Sequence, residues 1–470
     1  MRKFNLLFVL LTLSISSYSQ ISKENLLSDY DFLVNELKAY HQGLYQYVDK
    51  NTVDQKIDSI RNTIESADKI EFFKKVNALI ALTNEGHSGA RLPFWTQTKF
   101  GMSNSFIPIK IEFSNKKAIL VSYFGKENPG VEFGDQILSI NGVSIQDIMT
   151  TLKPYVATDG FNETSFYQWV GMDFPLYYAV AFGKSESFDI EVKKHNSQDI
   201  ESFTIEARSA LKLKDNKNTL NTVKRHNSFL YRTISDSIGY LCVPNFYGYK
   251  DFEEFYLNSF KSIRNDKIKH LIIDIQENVG GVEGNENLLA SYLFQKPFRK
   301  YKNVLAPKEA CENFKNKKSV RLDAWTLKDD VPHRGEFTLT SNYFSELGYK
   351  QPDTDLIFSG KVYVLTSGVT FSGGAEFASM LKMTNRAIFI GEETGGTYEG
   401  NVSGYSRDVK LPKTKIKVSI PIVHFKVDVS PKVKGRGILP DHVVYQSWED
   451  IIQAKNTKFE FALKLIQKSR

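Results

Sequence analysis

VLTSGVTFSGGAEFASML, residues 364–381, decides how this chain is read. An apolar run ends near Ser367, a turn follows, and a helical pattern begins at about Gly373. Strand, tight turn and helix in that order form half of a βα unit. Ser372 stands at the junction. A hydroxyl there projects from a strand end, beside N–H groups that a helix start leaves unpaired. Those donors and the helix dipole can stabilise an oxyanion. Helix capping is the other, commoner job of a serine at such a place. Ser367 is a rival that sits further from the helix start.

The surrounding chain repeats the pattern. SIGYLCVPNF (237–246), KHLIIDIQ (269–276), KVYVLTS (361–367) and RAIFIGE (386–392) are short apolar runs. Between them lie the helical patterns DFEEFYLNSFKSIRN (251–265), ENLLASYLF (286–294) and SGGAEFASMLKM (372–383). Alternation of this kind predicts a largely parallel sheet in an α/β unit over 228–470. DIQENVGGVEGN (274–285) ends a second apolar strand in glycines. Gly280 and Gly281 can leave backbone N–H groups open toward a substrate, or they can serve a tight turn that needs positive φ. No GxGxxG or GK[ST] occurs there, which excludes a nucleotide-binding loop. The lysine-rich segment 296–358 reads as an insertion over the site, with its charge on a solvated face.

Upstream the pattern changes twice. Ile107, Ile109, Ile111 and Phe113 alternate, and DQILSINGVSI (135–145) holds an Asn141-Gly142 turn between β-rich runs, so 98–207 reads as a β domain. Residues 20–97 read as helices: Leu26, Tyr30, Leu33, Leu37 and Tyr40 share one face, Val53, Ile57, Ile60 and Ile64 another, and Phe72, Val76, Leu79 and Ile80 a third. Thr52–Gln55 has the form of a capping box and Gly86 that of a stop. A polar stretch at 208–227 is the linker. Residues 1–19 read as a signal peptide, with Arg2 and Lys3 ahead of FNLLFVLLTLSI and small residues at Ser17 and Ser19. An uncleaved anchor is the other reading, although the apolar run is short for a span. The expected product is exported, periplasmic or extracellular, with no stable membrane span.

Composition narrows the partners. Among 470 residues, 61 Lys and Arg face 54 Asp and Glu, and the excess of +7 forms no dense stripe, so nucleic-acid binding is not expected. Two cysteines, Cys242 and Cys311, do not make a disulfide scaffold, and no zinc-type spacing is present. A nucleophilic serine needs a base. Of eight histidines, His87 in TNEGHSGARL (83–92) stands in a glycine-flanked turn, with His424 and His442 as alternatives on strand-like runs.

Seven segments in order resemble serine peptidase family 41, the tail-specific or C-terminal processing proteases and the tricorn core. They are GHS (86–88), GDQILSINGVSI (134–145), IGYLCVPNF (238–246), LIIDIQENVGG (271–281), TFSGGAEFA (370–378), GEETGG (391–396) and GRGILPDHVV (435–444). The resemblance implies a crotonase-like (ClpP/crotonase) α/β core, an inserted PDZ-like domain and no metal or cofactor. It places the nucleophile at Ser372 and the oxyanion hole at Gly373 with Gly280 or Gly281. Thr397 stands where the Ser–Lys branch has its lysine, and His87 matches the histidine base of the tricorn-like branch. That branch orients its histidine with a glutamate, but the matching position is Lys434; Gln276 replaces the arginine of the strand-end motif. Glu392, Glu393 and Glu399 are the acids near the site in sequence. The expected function is hydrolysis of protein or peptide substrates, docked through the PDZ-like domain; the alternative is a catalytically inactive peptide-binding protein on the same scaffold.

Overall fold

The computed structural model describes residues 20–214, 228–247, 249–307, 336–338, 347–353, 355–430 and 433–468. The signal segment 1–19, the linker beyond 214, Cys311 and most of the 296–358 insertion lie outside the described residues.

Helices α1 (Lys23–Tyr40), α2 (Lys50–Asn62) and α3 (Lys69–Ala81) follow the sequence periodicity, and Leu26, Tyr30, Leu33, Val53, Ile57, Phe72, Val76 and Leu79 are buried. Two boundaries differ from expectation. Helix α2 is capped by Asp49, whose carboxylate accepts the Thr52 N–H, so the Thr52 motif lies inside the helix. Helix α3 ends at Ala81, and Asn84, at φ 49°, makes the turn instead of Gly86. The three helices do not close their own core. Val409, Leu411, Ile416, Val418 and Ile420, from the other end of the chain, complete it. Asp29, fully buried, accepts the backbone N–H groups of Lys413 and Thr414 at 2.8 and 2.7 Å.

A short strand, β1 (Gly89–Arg91), and helix α4 (Phe94–Met102) lead into an antiparallel sheet of β2 (Ile109–Ser114), β3 (Lys117–Tyr123), β4 (Gln136–Ile140), β5 (Val143–Ser144), β6 (Ser187–Lys193) and β7 (Ile200–Glu206). The order is β2-β3-β4-β6-β7, with β5 on β4. Strand β2 buries every second residue, as its alternation requires. Asn141 and Gly142, at φ 49° and 74°, form the turn between β4 and β5. The aromatic stretch that sequence patterning leaves open is helical: α5 (Ile145–Leu152), α6 (Thr164–Met172) and α7 (Phe174–Phe182) cover this sheet.

The remaining chain builds two sheets. Strands β8 (Leu230–Ser235), β9 (Ile238–Cys242), β10 (His270–Asp274), β13 (Lys361–Thr366), β14 (Ala387–Gly391) and β17 (His442–Val443) form a six-stranded sheet in the order β17-β14-β13-β10-β9-β8. All neighbours are parallel except β8. Strand β9 is buried along its whole length and β10 and β13 along all but their first residues, the signature of a parallel sheet covered on both faces. Helices α8 (Tyr249–Asn265), α9 (Asn285–Ser291) and α10 (Gly373–Met383) join these strands, and α11 (Trp448–Ile452) and α12 (Thr457–Lys468) end the chain. The other sheet is antiparallel, and of its strands the sequence pattern marks only the run around His424. It runs β1-β16-β11-β12 through β16 (Lys417–Val427), β11 (Tyr301–Pro307) and β12 (Glu336–Thr338), with β15 (Gly400–Lys410) also on β16. The start of the lysine-rich insertion is therefore core strand, and Lys300 is fully buried. Pairing of Gly89 with Ser419 and Ala90 with Val418 ties the segment just after His87 to the C-terminal part of the chain. No helix among the described residues is long and apolar enough to cross a membrane.

Candidate active site

Ser372 occupies the N-cap position of α10, but its side chain makes no capping hydrogen bond. Its backbone stands at φ 50° and ψ −128°, a conformation costly for any residue with a Cβ. Such strain persists only where the surroundings over-determine it, and it concentrates at functional sites. Those surroundings are visible. Asn278, fully buried, accepts the Phe371 N–H on its backbone oxygen at 2.9 Å and the Gly280 N–H on its side-chain oxygen at 2.8 Å. Its amide donates to Val243 O at 2.9 Å. One asparagine thus locks the ends of β9 and β10 to the turn that carries the serine.

The glycine pair divides its work. Gly280, at φ 92°, lies so close to the serine that a Cβ there would be 2.7 Å from Ser372 Cβ and 2.6 Å from Gly373 N. Its N–H is committed to Asn278, so of the two candidate glycines only Gly281 keeps an N–H outside that bond. The bridge between Phe246 and Gly281 uses Gly280 O and Val282 N, which leaves the Gly281 N–H outside it. The Gly281 nitrogen is 3.7 Å from where a Cβ on Gly373 would stand. The backbone nitrogens of Gly281 and Gly373 therefore lie in the same neighbourhood, Gly373 being the residue after the serine.

His87 reaches this place from the far end of the sequence. Its ring stacks on Phe371, the residue before Ser372, with centroids 4.6 Å apart at 28°. Gly86 permits that approach, since a Cβ there would be 2.9 Å from Phe371 Cζ. Among the described residues Ser372 Oγ makes no hydrogen bond, so the serine and the imidazole are not bonded to each other. Nδ1 of His87 is 2.9 Å from Glu85 Oε1, and Glu85 Oε2 accepts the Val402 N–H at 2.7 Å. With Nδ1 facing a carboxylate, Nε2 is the nitrogen left to accept a proton. Burial pushes the Glu85 carboxyl up to about 7 and holds His87 below the usual imidazole range. The charges of Asp159, Glu376 and Glu283 work against that lowering. Asp159, fully buried, accepts the Gly86 N–H at 2.8 Å, and burial next to Glu85 raises it well above the usual carboxylate range.

The acids expected to orient the base are engaged elsewhere. Glu392 pairs with Lys458 at 2.7 Å. Glu393 holds Arg436 and the Gly437 N–H, both at 2.8 Å. Glu399 accepts the Gly435 N–H at 2.6 Å. The acid on His87 is Glu85, two residues before it in the same turn, which the sequence reading did not name; a carboxylate at that spacing is the signal that could have found it. Ser367 is spoken for, donating to Gln276 O at 2.5 Å. His424 is buried on β16 and His442 lies on β17 against Phe461. Thr397 bonds the Tyr47 hydroxyl at 3.2 Å, Lys434 Nζ donates to Gln46 O at 3.1 Å, and Gln276 bridges to Asp274 at 3.1 Å.

Three groups of side chains have metal-ligand chemistry: Glu85, His87 and Asp159; Glu132, Asp135 and His195; and Glu283, Glu286 and Glu376. Two already hold a cation. Lys194 is 2.7 Å from Asp135, and Lys300 contacts Glu286, Glu283 and Glu376. In the first, Nδ1 and Oε1 at 2.9 Å are closer than the about 3.3 Å that separates two ligands of a tetrahedral zinc.

Residues 237–444 match peptidase family S41. Among solved structures, mature CPAF is 16% identical, over 94% of this chain and 96% of that one, with a TM-score of 0.63. Mature CPAF complexed with lactacystin is 14% identical over 94% and 97%, with a TM-score of 0.62. At these identities the likeness is one of fold: a mixed α/β architecture shared over nearly the whole chain.

Proposed function

Because residues 237–444 belong to peptidase family S41, we propose that the chain is an exported serine peptidase with Ser372 as nucleophile and His87 as general base. Ser372 Oγ attacks the scissile carbonyl carbon while His87 Nε2 takes its proton. Glu85 holds the Nδ1–H and balances the imidazolium that forms. The carbonyl oxygen, now negative, lies against the N–H groups of Gly281 and Gly373; one such donor is worth about 2.7–4 kcal/mol in the transition state. His87 then gives its proton to the leaving amine. In the second half water attacks the acyl ester, His87 again accepting a proton and returning it to Ser372. The contact between His87 and Ser372 closes as substrate binds. In this reading 228–470 is a crotonase-like core, 98–207 a PDZ-like module that adds a peptide as a further strand, 20–97 a helical leader, 208–227 a linker, and 1–19 a signal peptide that directs export.

The observation that carries the proposal is the strained, uncapped Ser372 beside two open backbone donors. A serine kept only to cap α10 would bond the helix N–H groups from an unstrained backbone. A fluorophosphonate probe and an unfolded protein substrate test it. Wild type labels stoichiometrically and hydrolyses, and Ser372→Ala does neither. Hydrolysis undiminished in Ser372→Ala removes the assignment; a folded wild type that neither labels nor hydrolyses supports the inactive binding protein.

A further inference from the structure

We propose that Asp159 is a positioning residue that retains a proton, so that a single negative charge, on Glu85, stands behind His87. The inference rests on the role assigned to His87 above. Asp159 enters from the loop before α6, where the Gly160 N–H donates to Asn84 O at 2.8 Å and fastens that loop to the His87 turn. The ligand atoms of Glu85, His87 and Asp159 all lie within 4.8 Å of one another. Glu85 is 1% exposed and Asp159 fully buried. Among the described residues no lysine or arginine pairs with either. The Tyr47 hydroxyl feels both carboxyls from another element, and Glu376 and Glu283 act on His87; none of these groups is cationic. Two buried carboxylates this close do not both ionise.

The hydrogen bonds decide which acid keeps the proton. Glu85 receives the His87 Nδ1–H, the Val402 N–H and, at 3.5 Å, the His87 N–H, a donor set that stabilises an anion. Asp159 receives only the Gly86 N–H on Oδ1, and its buried Oδ2 has no partner. A charge on Asp159 would be poorly met, whereas a proton on Oδ2 points its dipole at the Glu85 anion. The arrangement matters for a base. Two negative charges would hold the imidazole as imidazolium near neutral pH, unable to accept the serine proton. One charge orients it and leaves it neutral.

The test combines two variants with an ¹⁵N-histidine NMR titration of His87, which needs no turnover. Asp159→Asn keeps the shape and the neutral state. It is expected to change the proton affinity of His87 by less than about threefold, half a pKa unit, and to lower kcat about threefold. Asp159→Ala is expected to lower kcat by roughly thirtyfold with KM unmoved, and the asparagine is expected to rescue most of that loss. A tenfold or larger drop in His87 proton affinity in Asp159→Asn would show that Asp159 carried a charge and overturn the proposal; so would an alanine variant with wild-type kcat. Should neither variant fold, infrared difference spectra of wild type with ¹³C-aspartate must show a protonated aspartic carboxyl at about pH 8, far above an ordinary aspartate, and its absence is equally fatal. A wild type that is inactive but passes the titration and infrared tests would refute the peptidase reading and leave the shared proton standing.

Discussion

Replacing Glu85 with glutamine separates the charge behind His87 from the shape that holds it. The two glutamate oxygens accept two different donors, the His87 Nδ1–H and the Val402 N–H. Glutamine has one oxygen and one NH₂. If its oxygen stays on Val402, the amide hydrogens meet Nδ1, and the imidazole must place its proton on Nε2, which then cannot act as base. If the oxygen stays on Nδ1, Val402 loses its acceptor in a buried site, at about 1–3 kcal/mol. In either case the imidazolium loses its counter-charge. Two unit charges about 4 Å apart interact by roughly 4 kcal/mol at the effective dielectric suited to protein sites. At 1.36 kcal/mol per tenfold, that is about 10³ in kcat. The assay is steady-state hydrolysis of a fluorogenic peptide, with fluorophosphonate labelling rate as a check on chemistry independent of product release. Glu85→Gln is expected to lower both by about 10³ with KM little changed. A variant within threefold of wild type would mean that Glu85 does not orient the base, and the triad would need another acid.

Two further outcomes follow from the geometry. Gly280→Ala puts a Cβ 2.6 Å from Gly373 N and 2.7 Å from Ser372 Cβ, at φ 92°. Moving the oxyanion donors should reduce the labelling rate about 10²-fold or more, and a fivefold loss or less would place Gly280 away from the reacting serine. His41 provides a pH signature of stability. Its Nδ1 accepts the Gly43 N–H at 3.1 Å, its Nε2 meets Ser88 Oγ at 3.0 Å, and burial pushes it down to about 3. The folded pKa lies below the unfolded one, so this stability is present above about pH 6.5 and is lost as pH falls toward 3, at up to about 1.4 kcal/mol per unit. Urea unfolding of His41→Gln should therefore show a destabilisation that shrinks by about 2 kcal/mol between pH 7 and pH 5; a gap independent of pH would mean that His41 is not held neutral.

Much of the core was legible because its rules are local. Short apolar runs between helical patterns predict parallel strands, and β9, β10, β13 and β14 are such strands. The junction at Ser372 was readable for the same reason, since strand, turn and glycine-started helix are consecutive. Strand β15, which forms a local hairpin with β16 through Lys410 opposite Lys417, is not marked by the sequence pattern, and of β16 only the run around His424 reads as strand-like; their sheet stayed hidden because β16 pairs with β1 and β11 across long separations. The buried role of Lys300 was missed because a lysine is solvated unless tertiary partners say otherwise, and here three carboxylates do. Asn278 showed only as part of a strand-end motif; its bonds to Val243, Gly280 and Phe371 are what make it a hinge point of the site.

From the order of residues alone came the α/β core, the serine at a helix start, a strand that ends in glycines and a histidine in a tight turn. Each depends on neighbours within a dozen positions, where backbone sterics and hydrophobic period act. Tertiary structure decided which acid stands behind the imidazole, which glycine donates, and that the turn at 86–88 lies against the residue before Ser372 at all. Those facts follow from burial and from pairing between distant segments. A carboxylate becomes the partner of a histidine only when folding removes the water that would otherwise solvate both.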